Sequence, residues 1–212
     1  GTVVAKGKGS GMLADPDNLD RFLDEVFSPS PLPVSVKSRL GIVDSQEFPK
    51  LLEIYNRYPI LELTLHPRVR KAFYSGSVDM EMFRYAYENS KNPVCYNGDI
   101  CSLADIDRIK VSFPQVGSVM IGRGLVGDPG MLTPGGTTVE ALEGLFDAML
   151  DEYLVLFGGS RNAMFRLKEH WGLLINRFED SEKLGKRLRK TTDLEEYKAI
   201  TREIFRTLPL KK

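Results

Sequence analysis

Residues 12–132 contain two kinds of segment in regular succession: short ones that alternate apolar and polar residues, and longer amphipathic ones. This succession restricts the fold more than any other feature of the sequence. Strands are predicted at 33–41, 61–65, 94–96 and 118–121, and the intervening segments repeat their apolar residues with the period of a helix. Successive strand–helix units are typical of parallel strands joined by crossover helices. The sequence therefore predicts an α/β fold for this part of the chain.

The strand pattern stops at the Pro/Gly segment 133–136, and only helices are predicted after it. Thr137-x-x-Glu140 and Thr192-x-x-Glu195 have the form of helix caps, and Gly158-Gly159 separates two longer helices. Amphipathic helices with short loops favour a small antiparallel bundle. We place a domain boundary at this segment, with an α/β domain over 1–134 and an all-α helical bundle over 135–212.

Composition narrows the functional classes only slightly. Lysine plus arginine and aspartate plus glutamate number 29 each, so the net charge of zero identifies no partner. No apolar segment approaches the ~20 residues of a membrane-spanning helix, and we recognise no leader peptide. Cys95 and Cys101, without further cysteine or histidine close by, make neither a zinc site nor a disulfide framework. We therefore expect a cytoplasmic protein with no membrane segment and no metal.

The ends of the last two strands carry glycine-rich segments. Asn97-Gly98-Asp99 and Gly122-Arg123-Gly124 follow these strands, at the edge where parallel α/β folds bind their ligands. Backbone N–H groups at such glycine turns often bind phosphate, and Arg123 would add a guanidinium that grips phosphate oxygens. The alternative is that these are tight strand-to-helix turns that need glycine for their backbone conformation alone.

Two cations interrupt the apolar alternation of the first strand. If Val34, Val36 and Leu40 face the helices, Lys37 and Arg39 point to the other side of the sheet, which is the interior of a closed barrel. An ammonium there needs an acceptor, because burying an unpaired charge is costly. A ligand phosphate or a flavin carbonyl would serve. An internal ion pair with a carboxylate is the alternative.

His66 ends the second predicted strand and opens the cationic turn His66-Pro67-Arg68-Val69-Arg70. Barrel enzymes place reactive or ligand-binding groups at this position of a strand. A structural histidine, satisfied by its neighbours, is the alternative interpretation.

Basic residues are also concentrated in the helical part, at 183–190 and along the preceding helix. A solvated helix face is the simplest interpretation, and a surface that contacts RNA phosphates is the alternative. Lys168, His170 and Trp171 are candidates for contacting or stacking on RNA, although Trp171 also fits the apolar stripe of its helix.

Four motifs carry a family resemblance. The motifs are Val34-Ser35-Val36-Lys37-Ser38-Arg39-Leu40-Gly41, Leu63-Thr64-Leu65-His66-Pro67-Arg68, Tyr96-Asn97-Gly98-Asp99-Ile100 and Val119-Met120-Ile121-Gly122-Arg123-Gly124. They occur in the order seen in tRNA-dihydrouridine synthases. The chain resembles the C-terminal two-thirds of such an enzyme. The resemblance implies the C-terminal half of a TIM (β/α)8 barrel that binds FMN, followed by a helical domain that helps hold tRNA.

The resemblance also implies roles for individual residues. The residues expected to contact FMN are Lys37, His66, Asn97, Gly98, Asp99, Gly122 and Arg123. Those expected to contact tRNA are Arg39, Arg68, Lys168, Lys186 and Arg187. NADPH would reduce the flavin, and a hydride would then pass to C6 of a uridine flipped out of its stack.

The proton donor to uridine C5 is a cysteine in this family, on a loop ending in Cys-Pro just upstream of a stretch like 4–11. We expect that cysteine to precede Gly1, and neither Cys95 nor Cys101 matches it, so no catalytic residue is assigned. The first barrel strands are likewise expected outside this sequence, which would leave this fragment inactive by itself. A monomer is expected.

Some residues depart from the family pattern, and other functions stay open. Pro67 and Val69 replace a small residue and a threonine, and Gly130 stands where an aromatic residue is frequent. The alternatives are another FMN-dependent TIM-barrel oxidoreductase, such as a relative of dihydroorotate dehydrogenase, a Schiff-base aldolase using Lys37, and a non-catalytic tRNA-binding fragment.

Overall fold

The computed structural model describes residues 2–28 and 31–211. The chain forms two compact units, one of Gly1–Ile100 with Ala104–Ile121 and one of Cys101–Leu103 with Gly122–Lys212. Residues 122–134, which the sequence analysis assigned to the α/β domain, are grouped with the second unit because the helix at 123–127 packs against helices of that unit.

The first unit is built on a four-stranded parallel sheet. Its strands are β1 Val36–Arg39, β2 Leu63–His66, β3 Val94–Tyr96 and β4 Ser118–Val119, in the order β1-β2-β3-β4. Every pair is parallel, with Val36 opposite Leu63, Leu63 opposite Val94, and Cys95 opposite Ser118. The predicted α/β fold with a parallel sheet is therefore confirmed, although β1 and β4 are shorter than predicted.

The helices of this part of the chain are α1 Thr2–Ala5, α2 Pro16–Phe27, α3 Phe48–Tyr55, α4 Met80–Asn89 and α5 Leu103–Ser112. Helices α2 and α4 begin at aspartate caps. The side chain of Asp15 accepts a hydrogen bond from the backbone N–H of Asn18, and Asp79 accepts one from Met82. Each carboxylate satisfies a backbone donor that the first helical turn leaves without a partner.

The two faces of the sheet differ in chemistry. Val36, Leu63, Leu65 and Tyr96 belong to the apolar core that the surrounding helices complete. Because side chains alternate along a strand, register partners share a face, and the residues that directly precede or follow these in sequence lie on the other face. That face carries Lys37, Arg39, Glu62, Thr64, His66, Cys95 and Ser118. Lys37 and Arg39 thus lie opposite the helix-packed side, as the alternation predicted.

The second unit is helical. It contains α6 Arg123–Gly127, α7 Val139–Phe157, α8 Ser160–Leu174, α9 Glu182–Lys190 and α10 Leu194–Thr207. Trp171 is 2% exposed and lies at the centre of its core, with ring centroids 4.8 Å from Phe146 and 5.3 Å from Phe205. Its indole N–H donates to the Tyr197 hydroxyl over 3.0 Å. Trp171 therefore packs the core and does not stack on RNA.

Two helix caps differ from those predicted by the Thr-x-x-Glu patterns. Helix α7 is capped by Thr138, whose hydroxyl accepts from the N–H of Ala141, whereas Thr137 bonds to Asp128 and Gly130. Helix α10 is capped by Asp193, which accepts from the N–H of Glu196 over 2.8 Å. In both cases an equally good capping residue stands one position later, and sequence spacing alone does not separate the two.

Within residues 2–28 and 31–211, no helix is long and apolar enough to cross a membrane. The described part of the chain also holds no group of three or more His, Cys, Asp or Glu side chains arranged for a metal ion. Cys95 is buried and Cys101 is exposed, and the two do not form a disulfide.

The position of the α10 cap can be tested by a pair of substitutions. Asp193→Ala is expected to lower the free energy of unfolding by about 1 kcal/mol, because it removes the side-chain acceptor of the first turn. Thr192→Ala, at an exposed neighbouring position, is expected to change it by less than ~0.5 kcal/mol. Urea unfolding followed by circular dichroism measures both, and a larger loss in Thr192→Ala would contradict the assignment.

Candidate active site

The amide side chain of Asn97 joins the carboxyl ends of the strands in the first unit. Its Oδ1 accepts from the ammonium of Lys37 over 2.7 Å and lies 3.3 Å from Nδ1 of His66. Its Nδ2 donates to the backbone carbonyl of Met120 over 2.7 Å. Lys37 comes from β1, His66 from β2 and Met120 follows β4, so Asn97, which follows β3, links its own strand to the other three.

These contacts fix the protonation of His66. Asn97 Oδ1 is an acceptor, so Nδ1 of His66 carries the proton, and Nε2 is left to accept from Arg68 Nη1 at 3.5 Å. Burial first, and then the positive charge of Arg39, lower the pKa of His66 to about 4, against the opposing effect of Asn97. His66 is therefore a neutral imidazole at neutral pH, although cations surround it.

Lys37 has an amide acceptor and no carboxylate partner among the described residues. It is exposed to solvent, yet partial desolvation and then the repulsion of Arg39 lower its pKa. The internal ion pair considered in the sequence analysis is not formed, and the ammonium charge stays uncompensated next to His66.

At the same edge, the buried guanidinium of Arg68 forms an ion pair with the exposed carboxylate of Asp99. Both terminal nitrogens of Arg68 donate to the Asp99 carboxylate, and Nη2 also donates to the carbonyl of Gly76 over 2.6 Å. Arg68 is 4% exposed, and its Nε has no hydrogen-bond partner among the described residues. The Asp99 carboxylate thus orients Arg68, and a buried guanidinium donor is left over.

Arg39 fastens the segment that follows β2. Its guanidinium donates to the carbonyls of Val69 over 3.0 Å and Phe73 over 2.8 Å. It also lies over the ring of Tyr74, 5.5 Å from the centroid, and that ring is 6.1 Å from the His66 ring in an edge-on arrangement. Sequence reasoning missed Tyr74, because nothing in a single aromatic residue of a loop indicates its neighbours.

A second group of polar residues lies nearer the amino ends of the strands on the same face. Ser118 donates to Glu62, Thr64 lies 3.5 Å from the same carboxylate, and Cys95 is buried between their strands. Sequence reasoning passed over Glu62, Thr64 and Ser118. The period-two alternation that placed Lys37 would have found them, had it been extended along every strand.

The remaining predicted residues have different surroundings. Gly98 is buried, and a Cβ there would meet the Tyr96 hydroxyl and Val78 Cγ1 at 2.9 Å, so packing alone requires glycine. Gly122 and Arg123 belong to the second unit, where Gly122 precedes α6 and its carbonyl accepts from Leu125.

The predicted tRNA contacts of the second unit also differ from one another. The Lys168 ammonium donates to the carbonyl of Thr191 and is half-buried, which ties it to the protein. Lys186 and Arg187 are exposed on α9, and Arg187 pairs with Glu203 on α10 over 3.1 Å. Of these three cations, Lys186 and Arg187 present charge to solvent.

Comparison with known proteins gives this arrangement a context. A family model described as dihydrouridine synthase (Dus) matches residues 1–203. The chain belongs to the dihydrouridine synthase family. A probable tRNA-dihydrouridine synthase of Rickettsia conorii is 32% identical over 134 residues, which are 62% of this chain and 40% of the relative. The tRNA-dihydrouridine synthase B of Pasteurella multocida is 30% identical over 128 residues, 60% of this chain and 38% of that protein.

A longer match joins this dihydrouridine synthase family member to a probable tRNA-dihydrouridine synthase of Rhizobium leguminosarum bv. phaseoli, 28% identical over 182 residues. That match covers 83% of this chain and 56% of the relative. The chain therefore spans about half the length, or less, of these curated relatives. The family resemblance drawn from the four strand-end motifs is confirmed by the family model.

The depressed pKa of His66 makes stability depend on pH. The folded state excludes a proton until about pH 4, whereas the unfolded state binds one near 6.5. Stability is thus fully present above 6.5 and falls as the pH drops toward 4, by about 2 kcal/mol between pH 7.5 and pH 5. Urea unfolding of the parent and of His66→Gln at both pH values measures this contribution. The variant should lose that share of the pH dependence, and an identical pH dependence in both proteins would contradict the assignment.

Proposed function

We propose that this chain takes part in the reduction of uridine to dihydrouridine in tRNA, with NADPH as the reductant and FMN as the bound cofactor. The observation that carries the proposal is the Lys37–Asn97–His66 network at the carboxyl edge of a parallel sheet in a member of the dihydrouridine synthase family. The names of the curated relatives point to the same substrate class.

The donors at this edge fit a flavin. An isoalloxazine ring presents carbonyl oxygens and ring nitrogens along one edge, and it becomes more electron-rich when it is reduced. Lys37 offers an ammonium without a carboxylate partner, and Arg68 holds a buried Nε donor without a partner among the described residues. Such donors favour an acceptor-rich or anionic ligand, because an unsatisfied buried donor is costly.

We assign separate roles to Lys37, Asn97 and His66. Bound FMN would supply hydride transfer from NADPH to C6 of the uridine, and a proton delivered to C5 would complete the reduction of the C5–C6 bond. Lys37 binds and polarises an acceptor of the ligand, and Asn97 positions Lys37 and His66 together. His66 stays neutral, so it adds no charge and keeps a fixed tautomer.

Other assignments rest on the resemblance. Gly98, Asp99, Gly122 and Arg123 are proposed for the ribityl phosphate end of FMN, with Asp99 acting through Arg68. The four-stranded sheet is proposed to be part of a TIM barrel, and the second unit to be the helical domain that holds tRNA. Arg39 and Arg68 are proposed near the target nucleotide, and Lys168, Lys186 and Arg187 against the tRNA backbone.

Flavin binding tests the role of Lys37. Lys37→Ala is expected to weaken FMN binding roughly tenfold or more, because it removes a charge-assisted donor from the ligand. Lys50→Ala, which removes an exposed cation from α3 of the same unit, is expected to leave the affinity unchanged. Titration of the purified chain with FMN, followed by the quenching of flavin fluorescence, gives both dissociation constants.

Two outcomes would overturn parts of this proposal. Equal FMN affinity in the parent and in Lys37→Ala would remove Lys37 from the flavin site. A chain that binds tRNA but does not bind FMN would favour the non-catalytic tRNA-binding alternative. A chain that binds FMN but does not bind tRNA would favour another flavin-dependent barrel enzyme.

The basic surface of α9 has its own test. Lys186→Ala combined with Arg187→Ala is expected to weaken tRNA binding and to reduce the slope of log affinity against log salt by roughly one for each lost phosphate contact. FMN binding should not change. The control is Arg202→Ala with Arg206→Ala, two exposed cations of α10. An equal loss in the control pair would show that overall charge, not the α9 surface, sets the affinity.

A further inference from the structure

The segment after His66 holds an aromatic residue in an unusual conformation. A 3₁₀ turn, Arg70–Ala72, is followed by Phe73 with φ 49° and ψ −97°. A bulky residue with positive φ is strained by on the order of 1–3 kcal/mol. The Phe73 side chain is nevertheless 67% exposed, so it gains little from packing in the described structure.

The strained conformation is held in place by the site itself. Arg39 donates to the carbonyl of Phe73 over 2.8 Å, and the N–H of Phe73 donates to the carbonyl of Arg70 over 3.1 Å. The next residue, Tyr74, lies beside the guanidinium of Arg39 and the ring of His66. The two adjacent aromatic residues thus differ in position: Tyr74 lies beside Arg39 and His66, whereas Phe73 lies at the rim of the site.

The chemistry of this rim fits single-stranded nucleic acid. Two cations, Arg70 and Lys71, precede Phe73 and Tyr74 with one alanine between the pairs, and Lys71 is exposed. Cations that attract phosphates next to an exposed aromatic face are the usual elements of a base-stacking platform in RNA-binding proteins. A glycine at position 73 would adopt this φ without strain, so the phenyl ring is kept at an energetic cost.

We propose that Phe73 stacks on a nucleobase of the RNA substrate that adjoins the target uridine. This inference rests on the proposed function, and it adds a residue that positions the RNA. Arg39 holds the Phe73 backbone while Tyr74 lies at His66, so a base stacked on Phe73 is placed at the rim of the site.

Three substitutions at one position test the inference on the full chain, with an unmodified tRNA transcript as the probe. Phe73→Gly and Phe73→Leu are expected to weaken binding roughly tenfold, since both lose the aromatic face. Phe73→Trp should bind at least as tightly as the parent. Its added indole should also be quenched by the tRNA, whereas Trp171, the only tryptophan of the parent, is buried and serves as the background. Fluorescence anisotropy of labelled tRNA gives the affinities.

The controls separate stacking from other effects. Val111→Ala removes an 81% exposed apolar side chain at the end of α5, away from the carboxyl edge of the sheet, and should leave tRNA binding unchanged. Binding of a fully duplex RNA, which offers no unstacked base, should be equal in the parent and Phe73→Gly. Phe73→Gly should melt no lower than the parent, because glycine relieves the strained φ.

The outcomes are distinct from those of the proposed function. Parent-like tRNA affinity in Phe73→Gly would overturn the inference, and so would parent-like affinity in Phe73→Leu, which would indicate a merely apolar contact. FMN binding is measured separately, by the quenching of flavin fluorescence. A parent protein that does not bind FMN, but whose Phe73→Trp variant is quenched by tRNA, would contradict the proposed function and leave base stacking by position 73 supported.

Discussion

The carboxyl edge of the sheet depends on a single uncharged acceptor, the side-chain oxygen of Asn97. It receives a hydrogen bond from Lys37 and one from His66, while the amide nitrogen holds the carbonyl of Met120. A carboxylate in its place would neutralise Lys37 and would also raise the pKa of His66. The amide does neither, so the geometry is fixed without cancelling the charge. That combination leaves a positive, ordered edge with a neutral imidazole in it.

Charge at this edge is compensated selectively. Asp99 pairs with Arg68, the Lys37 ammonium donates to the amide of Asn97, and Arg39 donates to the carbonyls of Val69 and Phe73. An amide oxygen fixes the direction of an ammonium without removing its charge. Burial first, and then the positive charge of Arg39, lower the pKa of His66, and the ammonium of Lys37 favours an electron-rich or anionic ligand. The cations of this edge therefore hold the loop, contribute to the neutral state of His66 and supply the attraction that the proposed FMN site needs.

Much of the fold was predictable from local patterns, and much of the site was not. The strand 94–96 was predicted with its observed bounds, and the cap Asp79 has the short polar side chain that starts helices. The contact of His66 with Asn97 joins residues 31 positions apart and follows only from the register of neighbouring strands. Trp171 was open to two interpretations because an aromatic residue within a basic segment suits either a core or an RNA surface. Only the packing of neighbouring helices decided for the core.

On the polar face of the sheet, the hydrogen-bonding groups pair with one another near the amino ends of the strands, whereas some donors near the carboxyl ends lack partners among the described residues. Toward the amino ends, Ser118 and Thr64 share the Glu62 carboxylate, so these groups complete one another. Toward the carboxyl ends, the Lys37 ammonium uses one of its three donors on Asn97 within the described structure, and Arg68 keeps an unpaired Nε. Buried polar groups in folded proteins are normally paired, so the buried Nε of Arg68 favours a ligand that supplies an acceptor at this end. This argument supports the proposed site without using the family resemblance, and it concerns residues that the motifs also identified.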